Sequence, residues 1–373
     1  MINSINIQGF KCFNKATDIP FSRINILYGK NGRGKSTIAQ SLMLLAQTMQ
    51  ANNGISELHL MGKLVELGTF YDVVNRSMQE PKNFSITIKT ESETIELGFC
   101  EHHEKPQMAC LNRFIFNGLN RFDVRSTSDE QDSQNNPSYI NPTSDVTFLQ
   151  KIKLLQYVSA GRLGPQNYSE RRDSLDASWY GVKGEYIINV LANKGEEFQN
   201  KIRSVLSEVL SGATLKTVTK DSERIELYMD SVNSGQEYRP TNVGFGYSFV
   251  LPVIVAALLA PKGSILIIEN PEAHLHPGAQ SRLTKFLIEI AQQNDIQLFI
   301  ETHSDHVVNG LRIAMKQKFC NMKPCDAEIA FFSHNEDTSE PTVEIIKCDE
   351  FGELSSYPDD FLDEWTNQLI NLV

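Results

Sequence analysis

The chain has 373 residues, 40 % of them hydrophobic, which fits one large domain or two modest ones, and it contains no apolar run of about 18 residues that could span a membrane. Its formal net charge of −11 disfavours general DNA binding, because phosphate contacts supply most non-specific affinity, although a local basic groove stays compatible with it. The six cysteines form no CxxC pair and the N-terminus does not resemble a signal peptide, so we expect reduced thiols and a cytoplasmic protein.

The first part of the chain predicts strands interrupted by one glycine-rich loop and one helix. Residues 4–28 alternate as strands, residues 36–50 place apolar side chains on one helical stripe, and residues 83–118 resemble short strands. Residues 126–144 are polar and rich in Ser, Asp, Asn and Gln, which predicts a mobile loop. A helical segment follows at 183–211, and short strands then run to about residue 229.

From residue 242 onward, helices and strands alternate. The pattern predicts helices at 248–260, 279–292 and 305–317 and strands at 264–268, 296–300, 329–332 and 343–346. Such alternation implies a largely parallel sheet with helices on its faces. The predicted organisation is a first lobe at 1–120, an inserted region at 121–240, a second lobe at 241–335 and a C-terminal tail at 336–373.

A complete phosphate-binding motif, GxxxxGK[ST], follows the first apolar strands and opens the first helix. Its glycines let successive backbone N–H groups face a phosphate, and the helix points its positive end at the same charge. Lys35 would reach the β- and γ-phosphates, and Ser36 would bind Mg²⁺. We therefore predict ATP and Mg²⁺ as cofactors, with the nucleotide-binding residues Gly29, Asn31, Gly32, Gly34, Lys35, Ser36 and Thr37.

Two later apolar strands also end in polar side chains. The first ends in Glu269, which is predicted to hold Mg²⁺ together with the serine of the phosphate loop, because buried parallel strands present their last residues to the ligand crevice. The second leads to His303, which we expect to reach a γ-phosphate, with a simple helix cap by Ser304 as the alternative. His274 and His276 are weak candidates for a metal pair, because no third ligand lies nearby.

A second pair of glycines, Gly244 and Gly246, opens the helix that precedes the Glu269 strand. These glycines again expose N–H groups at a positive helix end, although an ordinary helix start is the simpler interpretation of this segment alone. A single nucleotide rarely needs two phosphate-facing loops from one chain. We therefore expect a homodimer or higher homo-oligomer with head-to-tail contacts, in which Gly244, Gly246 and Ser248 cover the ATP bound by the phosphate loop of a second copy.

Together these motifs resemble those of ABC-type ATPases. The stretch from Ile267 to Pro277 is similar to a D/E-x-P-E-x-H-L-H-P signature of bacterial stand-alone ATPases related to the overcoming-lysogenization-defect (OLD) nucleases and the structural-maintenance-of-chromosomes (SMC) proteins. The resemblance implies an α/β P-loop NTPase fold, an ABC-type head with an inserted, partly helical region. Two departures are the missing heptad arm of SMC proteins and the missing Toprim nuclease of OLD proteins.

A third departure concerns catalysis. Asn270 occupies the position where active ABC-type ATPases carry a glutamate, and an amide can position a water but cannot accept its proton. Glu272 is the nearest alternative base. The predicted catalytic residues are therefore Glu269, Asn270, Glu272 and His303, and we expect slow hydrolysis.

The resemblance also implies a biological role, which is an ATP-dependent dimerising switch that controls a partner protein. Relatives of this kind often lie beside an effector nuclease in bacterial anti-phage systems, so a nuclease encoded nearby is the first expected partner. A DNA repair or chromosome-maintenance ATPase that clamps DNA is the alternative. A transporter energy subunit is less favoured, because the signature loop is not LSGGQ and no membrane partner element follows.

Overall fold

The computed structural model describes residues 1–52, 54–123, 146–172, 174, 176, 178–220, 223–335 and 340–372. The mobile loop predicted at 126–144 lies outside the described residues. Numbered along the chain, the strands are β1 (Ile2–Gln8), β2 (Thr17–Pro20), β3 (Ile24–Gly29), β4 (Glu57–His59), β5 (Asn83–Thr90), β6 (Thr94–Glu101), β7 (Met108–Phe116), β8 (Leu119–Asp123), β9 (Gln156–Val158), β10 (Tyr168–Glu170), β11 (Thr214–Thr219), β12 (Arg224–Asp230), β13 (Ile265–Glu269), β14 (Gln297–Thr302), β15 (Ala327–His334) and β16 (Pro341–Ile346). The α-helices are α1 (Lys35–Asn52), α2 (Phe70–Val73), α3 (Thr147–Lys151), α4 (Ile187–Asn193), α5 (Gly195–Val209), α6 (Phe245–Leu259), α7 (Pro277–Gln293), α8 (Asp305–Lys316) and α9 (Glu364–Asn371).

A six-stranded sheet lies at the centre of the fold, with the strand order β16-β15-β3-β14-β13-β9. Its strands run parallel except for the edge strand β16. Every residue of β3 is buried, because helices or a second sheet cover both faces of the sheet. Alternate side chains enter opposite cores, so Leu27 packs on one side while Ile26 and Tyr28 pack on the other.

Two further sheets complete the two cores. An antiparallel sheet with the order β2-β1-β5-β6-β7-β4, extended by β8, packs with α1 against one face of the central sheet. On the other face, helices α4 to α8 and the small sheet β10-β12-β11 enclose the second core. The buried helix α6 is apolar on all sides, as expected for a helix surrounded by other elements.

The structure confirms the predicted mixed α/β fold with a largely parallel sheet. Helix α6 begins three residues earlier than predicted, at Phe245, because Gly244 rather than Tyr247 is its N-cap. The predicted domain boundaries stay a prediction, although β9, from the region predicted as an insertion, pairs with β13 in the central sheet. In the described part of the chain, no helix is both long and apolar enough to cross a membrane.

Candidate nucleotide-binding site

The phosphate loop connects the central strand β3 to the N-terminus of α1. Gly29 has a φ of 137°, and a Cβ at this position would lie 2.2 Å from the carbonyl oxygen of Phe332, so the site requires glycine. The Lys35 ammonium donates to the backbone carbonyls of Gly29 at 2.6 Å and Lys30 at 2.8 Å. Burial lowers the pKa of Lys35, and the nearby Glu301 charge raises it. The loop thus holds an ammonium group beside a helix N-terminus, an arrangement that suits phosphate.

The predicted loop residues come together in one pocket. Asn31 and Gly32 form its exposed tip, while the buried Thr37 places its hydroxyl 3.7 Å from the Cys12 sulfur. The pocket is lined by Lys11, Cys12, Asn31, Gly32, Gly34, Lys35, Ser36, Thr37, Gln40 and Glu301. Lys11 and Cys12 were missed by sequence reasoning, because they follow β1 outside any recognisable motif.

The carboxylate nearest to the phosphate loop belongs to Glu301. Strands β13 and β14 pair in parallel with Glu269 opposite Glu301, so both carboxylates emerge at the same end of the sheet. The Ser36 hydroxyl donates to Glu301 Oε1 at 2.7 Å, whereas Glu301 Oε2 is buried without a hydrogen-bond partner. Burial raises the pKa of Glu301 to about 7, and the negative charges of Glu269 and Glu272 act in the same direction. The hydrogen bond from Ser36 and the positive charge of Lys35 lower this pKa. Its position at the end of an apolar strand was the available sequence signal.

Glu269 points toward the loop that follows β9. Its Oε2 accepts from the Ala160 amide at 3.1 Å, and its carboxylate also interacts with the Tyr157 hydroxyl. Burial is the main cause of the raised pKa of Tyr157, and the negative charge of Glu269 adds to it. Ser36 therefore contacts Glu301 directly, and Glu269 flanks the pair from the next strand.

Arg162 fixes the turn that leaves β13. Asn270 adopts a left-handed conformation with a φ of 44°. Its backbone N–H donates to the Glu301 carbonyl at 2.7 Å. The guanidinium of Arg162 donates to the carbonyls of Ser159 at 3.1 Å, Glu269 at 2.7 Å and Asn270 at 2.5 Å. Burial lowers the pKa of Arg162 to about 10. Sequence reasoning missed the position of this arginine behind the site.

Glu272 and His303 lie side by side at the edge of the site. Glu272 Oε1 accepts from the Thr302 hydroxyl at 2.7 Å and from the His303 amide at 3.1 Å, whereas Oε2 is buried without a partner. Burial and the Lys35 charge lower the pKa of His303, whose hydrogen bond with the Gly29 backbone acts in the opposite direction. One oxygen of Glu272 is thus fixed by the next strand while the other has no partner.

The surroundings of Ser36 fit a magnesium ion. Mg²⁺ takes oxygen ligands and is usually bound through one or two carboxylates plus substrate phosphates. The buried Oε2 of Glu301 lacks any hydrogen bond, and Glu269 is close enough to raise the Glu301 pKa. An unpaired buried oxygen of this kind is costly, and a cation would satisfy it.

The two candidate metal-binding histidines have other roles. His276 is the N-cap of α7 and accepts from the Gly278 amide, and the His274 ring packs against Phe249 with 4.5 Å between ring centroids. Among the described residues, no group of three or more His, Cys, Asp or Glu side chains could hold a metal ion. The structure therefore gives no support to a metal site at this pair.

The second glycine loop lies in a different pocket from the phosphate loop. Gly244 caps α6, and a Cβ on Gly246 would lie only 2.6 Å from the His274 carbonyl, so the helix start packs closely against the turn after β13. Ser248 has a buried hydroxyl without a hydrogen-bond partner. The pocket beside Gly244 and Gly246 shares no lining residue with the phosphate-loop pocket. A single chain therefore does not bring the two loops together.

The sheet order, the phosphate loop and the carboxylates at the adjacent strand ends define a P-loop ATPase head of the ABC type. A family model described as an AAA ATPase domain matches residues 1–159 and 122–308, so the chain belongs to this family. A second model, described as a protein of unknown function (DUF3696), matches residues 322–372. A comparison with curated proteins gives no significant match.

Solved SMC heads share this fold. An Smc head bound to the C-winged helix domain of ScpA matches with a TM-score of 0.54 and 15 % identity. The match covers 93 % of this chain and 97 % of the Smc head chain. An Smc head with an extended coiled coil from Pyrococcus furiosus, bound to the C-terminal domain of ScpA, matches with a TM-score of 0.54 and 13 % identity. The match covers 100 % of this chain and 99 % of the Smc head chain. These matches confirm the predicted SMC-like, ABC-type head, and the closer kinship with OLD proteins stays a prediction.

Proposed function

We propose that this chain binds ATP with Mg²⁺, hydrolyses it slowly and uses bound ATP to hold two copies together as a switch that controls a partner protein. One observation carries the proposal: the ammonium of Lys35 and the hydroxyl of Ser36 lie at the N-terminus of α1, beside the Glu301 carboxylate at the end of the adjacent strand. Cationic, hydroxyl and carboxylate groups in this order suit a metal-bound triphosphate.

Binding would rest on the phosphate loop. Its backbone N–H groups and the α1 N-terminus face the phosphates, and the Lys35 ammonium leaves its carbonyl partners for the β- and γ-oxygens. Ser36 and Glu269 would hold Mg²⁺, which supplies charge neutralisation for the β- and γ-phosphates. His303, beside Lys35 and Gly29, lies where a γ-phosphate would approach.

Hydrolysis would use Glu272 as the base. As a water oxygen attacks the γ-phosphorus, Glu272 Oε2 accepts the water proton, the bond from phosphorus to the bridging oxygen breaks, and ADP and phosphate leave. The position of Glu272 supports this role, because Oε1 is anchored by Thr302 and His303 while Oε2 has no partner. Asn270 would orient the water without accepting its proton.

Dimerisation would bring the Gly244–Ser248 loop of one copy over the ATP of the other. The two glycine loops lie in separate pockets of one chain, which supports a second copy as the source of the missing contacts. Gly244 and Gly246 would supply these contacts, because the Ser248 hydroxyl is buried and Ser248 lines a different pocket. ATP would then act as the bridge between the copies, and its hydrolysis would release them.

The partner we propose is an effector protein, and anti-phage defence with an effector nuclease is the setting that the OLD-like signature favours. Both SMC heads described above were solved with ScpA bound, which supports a protein partner for this head by analogy. A DNA clamp is the second candidate. The SMC-like fold favours it, whereas the net charge of −11 does not. Co-purification with the products of neighbouring genes, with and without ATP, distinguishes the effector-controlling switch from the DNA clamp.

Calorimetric titration with ATP and Mg²⁺ tests nucleotide binding directly. Lys35→Ala removes a charge-assisted contact of about 1.5–3 kcal/mol, so affinity should fall by about 10- to 100-fold. Lys30→Ala is the matched control in the same loop, because the Lys30 side chain is 62 % exposed and pairs with Asp360 at 2.7 Å instead of facing the pocket. Unchanged affinity of the Lys35 variant would remove the site assignment.

A further inference from the structure

Glu301 lies between the phosphate loop and the Glu269 strand. Its strand, β14, pairs in parallel with β3 on one side, where Glu301 is opposite Leu27, and with β13 on the other, where it is opposite Glu269. Its side chain therefore emerges at the carboxyl end of the sheet, where ligands of parallel sheets bind. Only 7 % of the residue is exposed, although it lines the pocket of the phosphate loop.

The contacts of this carboxylate are incomplete. Glu301 Oε1 accepts from the Ser36 hydroxyl at 2.7 Å, and Oε2 is buried without any hydrogen-bond partner. Lys35 favours its negative charge, while Glu269 and Glu272 oppose it. A buried oxygen left in this way costs free energy unless a ligand completes it.

We propose that Glu301 is a direct carboxylate ligand of the Mg²⁺ ion that accompanies the nucleotide, sharing that ion with Ser36. The inference rests on the nucleotide binding proposed above and adds a metal ligand from a strand outside the phosphate-loop and Glu269 motifs. Ser36 already bonds Glu301, so a cation that binds the serine oxygen lies within reach of both.

Electrostatics favours a cation over a purely structural role. The charges of Glu269 and Glu272 both act on Glu301, which lines the phosphate-loop pocket. A carboxylate next to a phosphate is repulsive unless a cation lies between them. Mg²⁺ is usually bound through one or two carboxylates, because phosphate oxygens and waters complete its shell.

The alternative is that Glu301 only orients Ser36. Glutamine keeps an acceptor for the Ser36 hydroxyl and nearly the same shape, so an orienting role survives Glu301→Gln whereas a charged metal ligand does not. Glu328→Gln is the matched control, because Glu328 is also a half-buried carboxylate with an unpartnered Oε2, on β15, and does not line the phosphate-loop pocket. Burial raises the pKa of Glu328 as it does that of Glu301.

The test measures Mn²⁺ binding to the complex of the full chain with ADP, following free Mn²⁺ by electron paramagnetic resonance. Glu301→Gln should weaken Mn²⁺ binding by about 10- to 100-fold. Its affinity for ADP in EDTA, measured by calorimetry, should be unchanged or higher because a repulsive charge is removed. Glu328→Gln should match the parent in both measurements.

A second variant protects the test against misfolding. Glu301→Asp keeps the charge but withdraws it by one methylene, so it should weaken Mn²⁺ binding less than Glu301→Gln. Melting temperatures identify any unfolded variant, and either folded variant decides the question. Parental Mn²⁺ affinity in a folded Glu301→Gln or Glu301→Asp protein overturns the proposal while leaving ATP binding intact. A parent chain that binds no nucleotide overturns the proposed function as well.

Discussion

Replacing Glu272 by glutamine probes the proposed general base with little change of shape. In the parent, Oε1 accepts from the Thr302 hydroxyl at 2.7 Å and the His303 amide at 3.1 Å, and Oε2 has no partner. The glutamine carbonyl can retain both bonds. Its NH₂ group, in the position of Oε2, cannot accept a proton from the attacking water. The change therefore removes proton acceptance and leaves the anchoring of the side chain in place.

Glu272→Gln should change turnover and the free energy of unfolding by different amounts, so the catalytic and the structural effect can be measured separately. A positioned base contributes about 10²- to 10⁴-fold, which is about 2.7–5.4 kcal/mol of activation free energy at about 1.36 kcal/mol per tenfold. Hydrogen bonds to charged groups are worth about 1.5–3 kcal/mol and neutral ones about 0.5–1.5 kcal/mol, so weakening two of them lowers the free energy of unfolding by about 2 kcal/mol. We expect turnover to fall while ATP affinity stays near the parental value.

Steady-state phosphate release, ATP affinity and melting temperature are measured on the parent, Glu272→Gln and Asn270→Glu. Parental turnover in Glu272→Gln refutes the choice of base, and joint loss of affinity and stability indicates that Glu272 is structural. Asn270 has a φ of 44°, so a glutamate there carries a backbone penalty of about 1 kcal/mol but restores a carboxylate. A rise in turnover in Asn270→Glu would show that the missing carboxylate limits the rate.

Two further predictions concern the signature loop and the turn after β13. Gly244→Asp should abolish ATP-induced association in light scattering, because it places a carboxylate where a phosphate would approach. Gly244 is the better position to change, because a Cβ there would lie 3.7 Å from Tyr247, whereas a Cβ on Gly246 would lie 2.6 Å from the His274 carbonyl and disturb packing. Association equal to that of the parent would exclude the loop from the interface. Arg162→Met should lower the free energy of unfolding by about 3 kcal/mol in chemical denaturation, because methionine fills the space but donates to none of the three carbonyls. A loss below about 1 kcal/mol would contradict the role assigned to this side chain.

Much of the fold and the phosphate site could be predicted from local sequence. The loop from Gly29 to Thr37 is contiguous, and its glycines, lysine and serine specify both backbone shape and chemistry within nine positions. The apolar strand before it and the periodic helix after it are also local patterns. For the same reason the second glycine pair and the apolar strand ending in Glu269 were visible without a structure.

The contact between Ser36 and Glu301 was decided by the tertiary structure alone. The two residues are 265 positions apart, and they meet because β14 lies between β3 and β13 in the sheet. Strand order in a parallel sheet depends on how helices and strands pack at long range, and no local pattern encodes it. Arg162 reached the turn after β13 in the same way, through the pairing of β9 with that strand. Local chemistry thus determined where phosphate would bind, and the packing of distant strands determined which carboxylate contacts the phosphate loop and which arginine holds the turn after β13.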